Sequence, residues 1–351
     1  MKIAQIAPLY ESVPPKFYGG TERVVSYLTE ELVRMGHDVT LFASGDSITE
    51  ARLCGHGAKA LRLDDKCSDQ LIHHFLLLEK VFRLAESFDI LHFHVDYLHF
   101  PLSRRCGGAQ LTTLHGRLDL PELVPLYEEY REMPVVSISQ AQRTPLRGAN
   151  WLATVHHGLP DGLFPFYPET GGYLAFLGRI SPEKRLDRAI EIAVRSGLPL
   201  KIAAKVDQAD RQYFETAIRP LLAHPLVDYL GEIGDRDKAD FLGRALALLF
   251  PIDWQEPFGL VMIEAMACGT PVIAWRLGSV PEVMREGVSG FVVDSLEEAV
   301  QAVKNIARID RSACRRYFDE RFSAKRMAED YLAAYGRLLT SGKVQAKRLA
   351  N

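Results

Sequence analysis

Short apolar runs alternate with longer stretches of helical spacing along nearly the whole chain. Lys2 to Ala7, His37 to Ala43, Asp89 to Phe93, Gln110 to Leu114, Pro134 to Ser137 and Trp151 to Val155 are bounded by turn residues, and each predicts a short buried strand. Between the first two, Val24, Val25, Leu28, Leu32 and Met35 form one apolar face, predicting a helix over about Thr21 to Met35 that Gly36 ends. Residues 68–88 contain another helix. A turn-rich connection follows, from His157-Gly158-Leu159-Pro160 through Gly171-Gly172. Beyond it the plan repeats, with strands expected at Tyr173 to Leu177, Leu200 to Ala204, Val227 to Leu230, Leu246 to Pro251, after Pro271, and at Gly290 to Val293. Helices are expected from Ser181 to Gly197, over Gly259 to Cys268, at Pro281 to Arg285, and near Leu296 to Ile309 and Ala324 to Leu339. The basic tail SGKVQAKRLAN is expected to fray. Strands alternating with helices argue for open parallel sheets, whose ligands gather at the strands' C-terminal ends.

Composition narrows this without changing it. A chain of 351 residues suits two domains, each able to bury its own core. A net charge of −3 gives no electrostatic case for nucleic acid as a partner. Cys54, Cys67, Cys106, Cys268 and Cys314 are scattered and odd in number, which suits a reducing compartment without disulfides. MKIAQIAPLY enters a strand at once, without a signal-peptide pattern, and no apolar run approaches the roughly 18 residues that span a bilayer. The expected location is the cytoplasm, with peripheral membrane contact left open.

The candidate chemistry centres on Glu256 to Trp275, EPFGLVMIEAMACGTPVIAW. Gly269 sits where a glycine stops a helix, and Pro271 cannot continue one. The unpaired amides at the start of such a helix attract anions and hydroxyl oxygens. Glu264 lies in an otherwise apolar run, where an unpaired charge is expensive; it is either solvated or held for a ligand. Ser181 reads as a helix N-cap and Lys184 as its N3 residue, where a capping box would carry Glu or Gln. Arg179, Lys184 and Arg185 at a helix N-terminus are therefore solvated or waiting for an anion. Gly19-Gly20 before a helix would let a phosphate approach backbone amides, although glycines there are also ordinary turn chemistry. His115, immediately after a strand, is placed either to meet a ligand or simply to brace a loop. HFHVDYLH has metal-like spacing at His92, His94 and Asp96 but lacks further ligands, so His94 and Asp96 are expected to line an acceptor site. Asp235-x-Asp237 matches a metal-binding DxD, yet runs straight into a helix, which favours capping.

Taken in order, GGTE at Gly19 to Glu22, His115-Gly116, GRISPEK at Gly178 to Lys184 and EPFGLVMIEAMACGTPV resemble glycosyltransferase family 4, whose members are retaining nucleotide-sugar transferases. The resemblance implies an α/β protein of GT-B fold, with two Rossmann-like domains whose parallel sheets face a central cleft. The expected division is residues 1–165 on the acceptor side and 166–351 for the nucleotide sugar, with the last helix, about 324–339, packing back on the first domain. It implies catalytic roles for Glu256, His115, Arg179 and Lys184. Arg179 and Lys184 would hold the diphosphate and Glu264 the ribose, while Glu256 and amides around Phe258, Gly259 and Leu260 meet the sugar. His115 and Gly20 would approach from the other domain, and Gly19, Lys205, Ile233, His94 and Asp96 complete the expected substrate contacts. No cofactor or metal is implied beyond the nucleoside-diphosphate sugar itself, UDP-glucose being the type expected. The acceptor is a sugar, a lipid-linked sugar or a small metabolite. Two departures stand out: His157-Gly158-Leu159-Pro160 where the family commonly has an Asn-Gly-x-Asp-like turn, and Ala203-Ala204-Lys205 where it often has a Gly-rich loop. The competing functions are an epimerase or phosphorylase of the same fold and a non-catalytic nucleotide-sugar-binding module.

Overall fold

The computed structural model describes residues 1–16 and 19–349, without the side chains of Asp235, Arg236 and residues 341–349. The chain forms two compact units, residues 1–160 with 324–351, and residues 161–323.

The first unit carries a parallel sheet of β1 (Lys2–Ile6), β2 (Asp38–Ser44), β3 (Arg52–His56), β4 (Ile90–Phe93), β5 (Ala109–Thr113), β6 (Val135–Ser137) and β7 (Trp151–Thr154). Their order is β3-β2-β1-β4-β5-β6-β7. Neighbouring residues of one strand face opposite sides, so β2 feeds two cores. Leu41 and Ala43 join Val13 and Val25 from the helix side of Gly20–Arg34. Phe42 instead packs with Phe93, Leu77, Leu78 and Val81, the last three from the helix Gln70–Arg83. A sheet covered on both faces needs the near-continuous apolar strands that the sequence shows. The terminal helix Ala324–Leu349 belongs to this unit and packs on β5 and on the helix Gly20–Arg34.

The second unit repeats the design with β8 (Tyr173–Arg179), β9 (Leu200–Lys205), β10 (Val227–Gly231), β11 (Ala245–Phe250), β12 (Val272–Trp275) and β13 (Gly290–Val293), ordered β10-β9-β8-β11-β12-β13. In both sheets the order reverses beside the first strand, between β1 and β4 and between β8 and β11, where loops diverge and leave room for a ligand. The helix Leu260–Ala267 buries Met262 to Ala267 without interruption, as expected of a helix apolar all round. Gly269, at φ 81°, ends it, its N–H bonded to the Met266 carbonyl.

Three local expectations are corrected. Ser181 precedes only a 3-10 turn, Pro182–Lys184, and its side chain accepts no capping hydrogen bond; the α-helix starts later, at Leu186–Ser196, after Arg185 in the left-handed region. The helix Asp235–Gly243 has Gly234, not Asp235, at its cap position, and the Asp235 side chain lies outside the described residues. The basic tail expected to fray continues the terminal helix to Leu349, although its side chains lie outside the described residues.

Candidate functional site

In the second unit the candidate residues stand at the C-terminal ends of four adjacent strands: Arg179 at the end of β8 and Lys184 after it, Lys205 at the end of β9, Ile233 after β10, and Glu256 to Leu260 after β11. The segment after β11 is tightly fixed. Ser279 donates its backbone N–H to the Glu256 carbonyl at 2.9 Å and its hydroxyl to the Phe258 carbonyl at 2.8 Å. Gly278, at φ 57°, lies against it so closely that a Cβ would fall 2.3 Å from the Glu256 nitrogen. Gly259, at φ 77°, turns the chain into the helix, and a Cβ there would meet Met262 and Phe250. The Phe258 ring is itself buried, against Phe322, and its carbonyl is taken by the Ser279 hydroxyl.

Glu264 is buried, one turn into this helix. It is neither solvated nor unpaired, because Lys238 from the helix Asp235–Gly243 reaches its carboxylate at 3.3 Å. Lys184 and Glu256 likewise form an ion pair. The Trp254 indole N–H donates to the same Glu256 oxygen at 3.0 Å, and the Lys184 ammonium lies 5.1 Å from the Trp254 ring centre and 5.4 Å from that of Phe250. Arg179 meets Glu183, and also Asp207 at 3.7 Å and Asp210 at 3.5 Å. Lys205 meets Asp207 at 3.1 Å. The expectation that these cations are solvated or wait for an anion is corrected: Arg179 and Lys184 already have carboxylate partners. Glu183, Asp207 and Asp210, the partners of Arg179, and Lys238, the partner of Glu264, look like ordinary surface charges along the chain, so the sequence does not announce them.

In the first unit, Gly19 caps the helix Gly20–Arg34, its carbonyl accepting the Arg23 N–H at 3.1 Å. His94 and Asp96 follow β4 and His115 follows β5. The His115 loop is clamped by buried Gln142, whose amide donates to the Leu114 and Gly116 carbonyls, each at 2.9 Å. His115 stacks on His157, ring centres 5.4 Å apart, and its Nε2 lies 2.8 Å from His94 Nδ1. Burial holds the His115 imidazole down at about 3. His94 is held well below the usual histidine range, first by burial and then by neighbouring histidines. It is buried with both ring nitrogens engaged, by Gln5 and by His115. It therefore braces His115 rather than touching a substrate as the sequence suggested. Asp96 has a left-handed backbone at φ 51° and is exposed by area; incomplete hydration nonetheless pushes its carboxyl up to about 6. Both His92 ring nitrogens are engaged, by Tyr335 and by Thr113. Among the described residues no three His, Cys, Asp or Glu side chains come together as a metal site. Nor, among the described residues, is any helix long and apolar enough to cross a membrane.

These two sheets with their site-bearing loops form the GT-B architecture. A crystal structure of AviGT4, a glycosyltransferase involved in avilamycin A biosynthesis, matches at a TM-score of 0.78 over 97% of this chain and 98% of that one, with 24% identity. HepE from Anabaena, crystallised with UDP and glucose, matches at 0.74 over 96% of this chain and all (100%) of that one, with 19% identity. Residues 18–177 match the family Glycosyltransferase Family 4 and residues 166–320 match Glycosyl transferases group 1. The chain belongs to glycosyltransferase family 4. Among curated relatives, the D-inositol 3-phosphate glycosyltransferase of Mycolicibacterium smegmatis is 29% identical over 194 residues, which are 50% of this chain and 43% of that protein. The chain thus spans less than half the length of the first such relatives it matches.

Proposed function

We propose that the protein is a retaining glycosyltransferase that moves a hexose from a nucleoside-diphosphate sugar, UDP-glucose being the preferred candidate, to a hydroxyl acceptor without a metal ion. The observation that carries this reading is the buried Glu264 carboxylate in a short helix whose N-terminus borders the strand ends bearing Arg179, Lys184 and Lys205. A carboxylate offers only acceptor oxygens, so Glu264, which Lys238 already meets as an ion-pair partner, suits two adjacent ribose hydroxyls. Helix amides and the cations suit a diphosphate. The diphosphate would exchange places with carboxylates, taking Arg179 from Asp207 and Asp210 and Lys184 from Glu256. Glu256, once released, is a strong acceptor for sugar hydroxyls. HepE, solved with UDP and glucose, supports the donor class.

In the reaction, the bond between the anomeric carbon and the phosphate oxygen breaks, and the nucleoside diphosphate leaves with the electron pair. The acceptor oxygen bonds to the same face, and its proton passes to the departing phosphate oxygen. Arg179, Lys184 and the amides after Gly259 stabilise the charge that develops there. The test offers UDP-, GDP- and ADP-sugars with a cell extract and identifies the products by mass spectrometry, with the anomeric configuration read by NMR. A new glycoside of retained configuration is expected. Donor conversion without a glycoside product would point to an epimerase, phosphate-dependent cleavage to a phosphorylase, and binding without turnover to a binding module.

A further inference from the structure

Behind His115 the first unit holds a continuous chain of hydrogen-bonded side chains that reaches the terminal helix. His115 Nε2 lies 2.8 Å from His94 Nδ1, and His94 Nε2 lies 2.8 Å from Gln5 Oε1 on β1. The Gln5 amide nitrogen donates to the Tyr335 hydroxyl at 3.1 Å. Tyr335 lies 2.8 Å from His92 Nδ1, His92 Nε2 lies 2.8 Å from the Thr113 hydroxyl, and Thr113 lies 2.9 Å from that of Tyr331. All of these groups but His115 are buried, and His115 Nδ1 is a buried atom without a hydrogen-bond partner.

The direction of this chain follows from the chemistry of its members. A carboxamide oxygen cannot donate, so His94 carries its proton on Nε2. Burial keeps both His94 and His115 neutral. Neutral His94 then has only a lone pair at Nδ1, and His115 must donate to it from Nε2. Neutral His115 is left with a lone pair at Nδ1. On the other arm Tyr335 accepts from Gln5 and donates to His92 Nδ1, and His92 Nε2–H donates to Thr113. Reversing the chain would require the Gln5 amide to turn over and the protons of every linked ring and hydroxyl to move with it. His115 Nδ1 would then be a donor.

We infer that Gln5 is a positioning residue that holds His115 as its Nε2–H tautomer, so that His115 Nδ1 offers a lone pair that accepts a substrate hydroxyl and rejects a carbonyl, carboxylate or phosphate oxygen. The tautomer assignment stands on the first unit alone; the identity of the hydroxyl, as one on a sugar, rests on the proposed transferase reading. His115 meets substrate, whereas Gln5 and Tyr335 act only through it.

The test is a two-bond proton–nitrogen correlation spectrum of the full chain labelled with 15N-histidine, recorded without any sugar donor. His115 and His94 signals are assigned by their loss in His115→Gln and His94→Gln. The expected pattern is a bare Nδ1 and a protonated Nε2 for both rings; a protonated Nδ1 on His115 overturns the inference. Gln5→Met, nearly isosteric but unable to accept, is expected to replace the single His115 tautomer by a mixture. It should also lower transfer turnover by roughly tenfold, the weight of about one hydrogen bond. An unchanged tautomer in that variant removes the role from Gln5. Should Gln5→Met fail to fold, Tyr335→Phe, which frees the amide to turn, is expected to give the same mixture, and an unchanged single tautomer there would equally contradict it. Finally, UDP-glucose is titrated in. A shift of His115 Nδ1 on saturation is expected. Saturation without that shift overturns the hydroxyl contact while leaving donor binding intact, so the two readings fail separately.

Discussion

Lys184 donates to Glu256 Oε2, and the Trp254 indole N–H donates to the same oxygen at 3.0 Å. The diphosphate cation and the sugar-facing carboxylate expected from the sequence are thus each other's partners in the protein alone. A Lys184 that is solvated or waiting for an anion, as the sequence suggests, could become Gln with stability nearly unchanged; the pair revises that. With side-chain exposures of 18% and 10%, breaking it strands a carboxylate in a poorly hydrated place. Lys184→Gln is expected to cost roughly 1–3 kcal/mol of stability, in addition to severe loss of turnover. Adding Glu256→Gln should recover part of the stability and none of the activity. Urea titrations of the single and double variants measure the coupling.

Glu264 and Lys238 make a comparable pair with a different expected consequence. If Glu264 receives the ribose hydroxyls, Glu264→Ala should weaken nucleotide binding by about 1.5–3 kcal/mol, the scale of hydrogen bonds to a charged group. Calorimetry on the folded variant decides it: unchanged affinity would mean that Glu264 serves only Lys238.

Gly278 has no chemistry of its own, yet it holds the segment to which the sugar contacts are assigned in the proposed function. A Cβ there would lie 2.3 Å from the Glu256 nitrogen and 2.4 Å from its carbonyl oxygen, and backbone cannot step aside as a flexible side chain would. Gly278→Ala is expected to lower stability by roughly 1–3 kcal/mol through overpacking, and turnover with it. Full activity with an unaltered unfolding midpoint would show that the segment tolerates displacement.

Much of the architecture was legible because parallel strands covered on both faces are written as apolar runs, and twelve of the thirteen strands among the described residues were marked by them. The exception, β3, is an edge strand, RLCGH, half-buried and short of apolar residues. The helix Arg311–Arg321 was also missed. Its sequence is dominated by arginines, and Arg311 does its work by donating to the backbone carbonyls of Tyr167, Gly243 and Ala245, partners no local pattern announces. The positions of Arg179, Lys184, Lys205 and Glu256 at strand ends followed from the alternation of elements. Their carboxylate partners did not, because pairing across loops depends on tertiary placement. Gln5 illustrates the same limit: one polar residue in a strand, meaningful only once His94 and Tyr335 are seen on either side of it.

The buried histidines set an expected pH dependence. His99, stacked on Phe93 and bonded to Ser103 and Thr112, is held by burial at about 3 against an ordinary 6.5. The unfolded chain takes up a proton as pH falls through about 6.5, whereas the folded state refuses it until about 3, so stability is full above the first value and declines toward the second. His92, His94, His115 and His157 are shifted the same way, while Asp96, Glu22 and Asp210, all raised, oppose them. The clean reading is therefore a difference: His99→Gln should make the fall of the urea midpoint with acidity shallower between about pH 6.5 and 4. Parallel curves for the two proteins would place the His99 proton elsewhere.

The most direct measurement of the central claim is release of nucleoside diphosphate from UDP-glucose and its GDP and ADP counterparts after exhaustive chelation, with Arg179→Ala alongside. Arg179, Lys184 and the amides beyond Gly259 are assigned the task of stabilising the departing diphosphate, a task that preorganised charges perform without further reorganisation. The account predicts full acceptor-dependent turnover in chelator with at least one of these donors, and its near-complete loss in folded Arg179→Ala. Turnover abolished by chelation and restored by added Mg²⁺ or Mn²⁺, or an Arg179→Ala enzyme as fast as the parent, would contradict it.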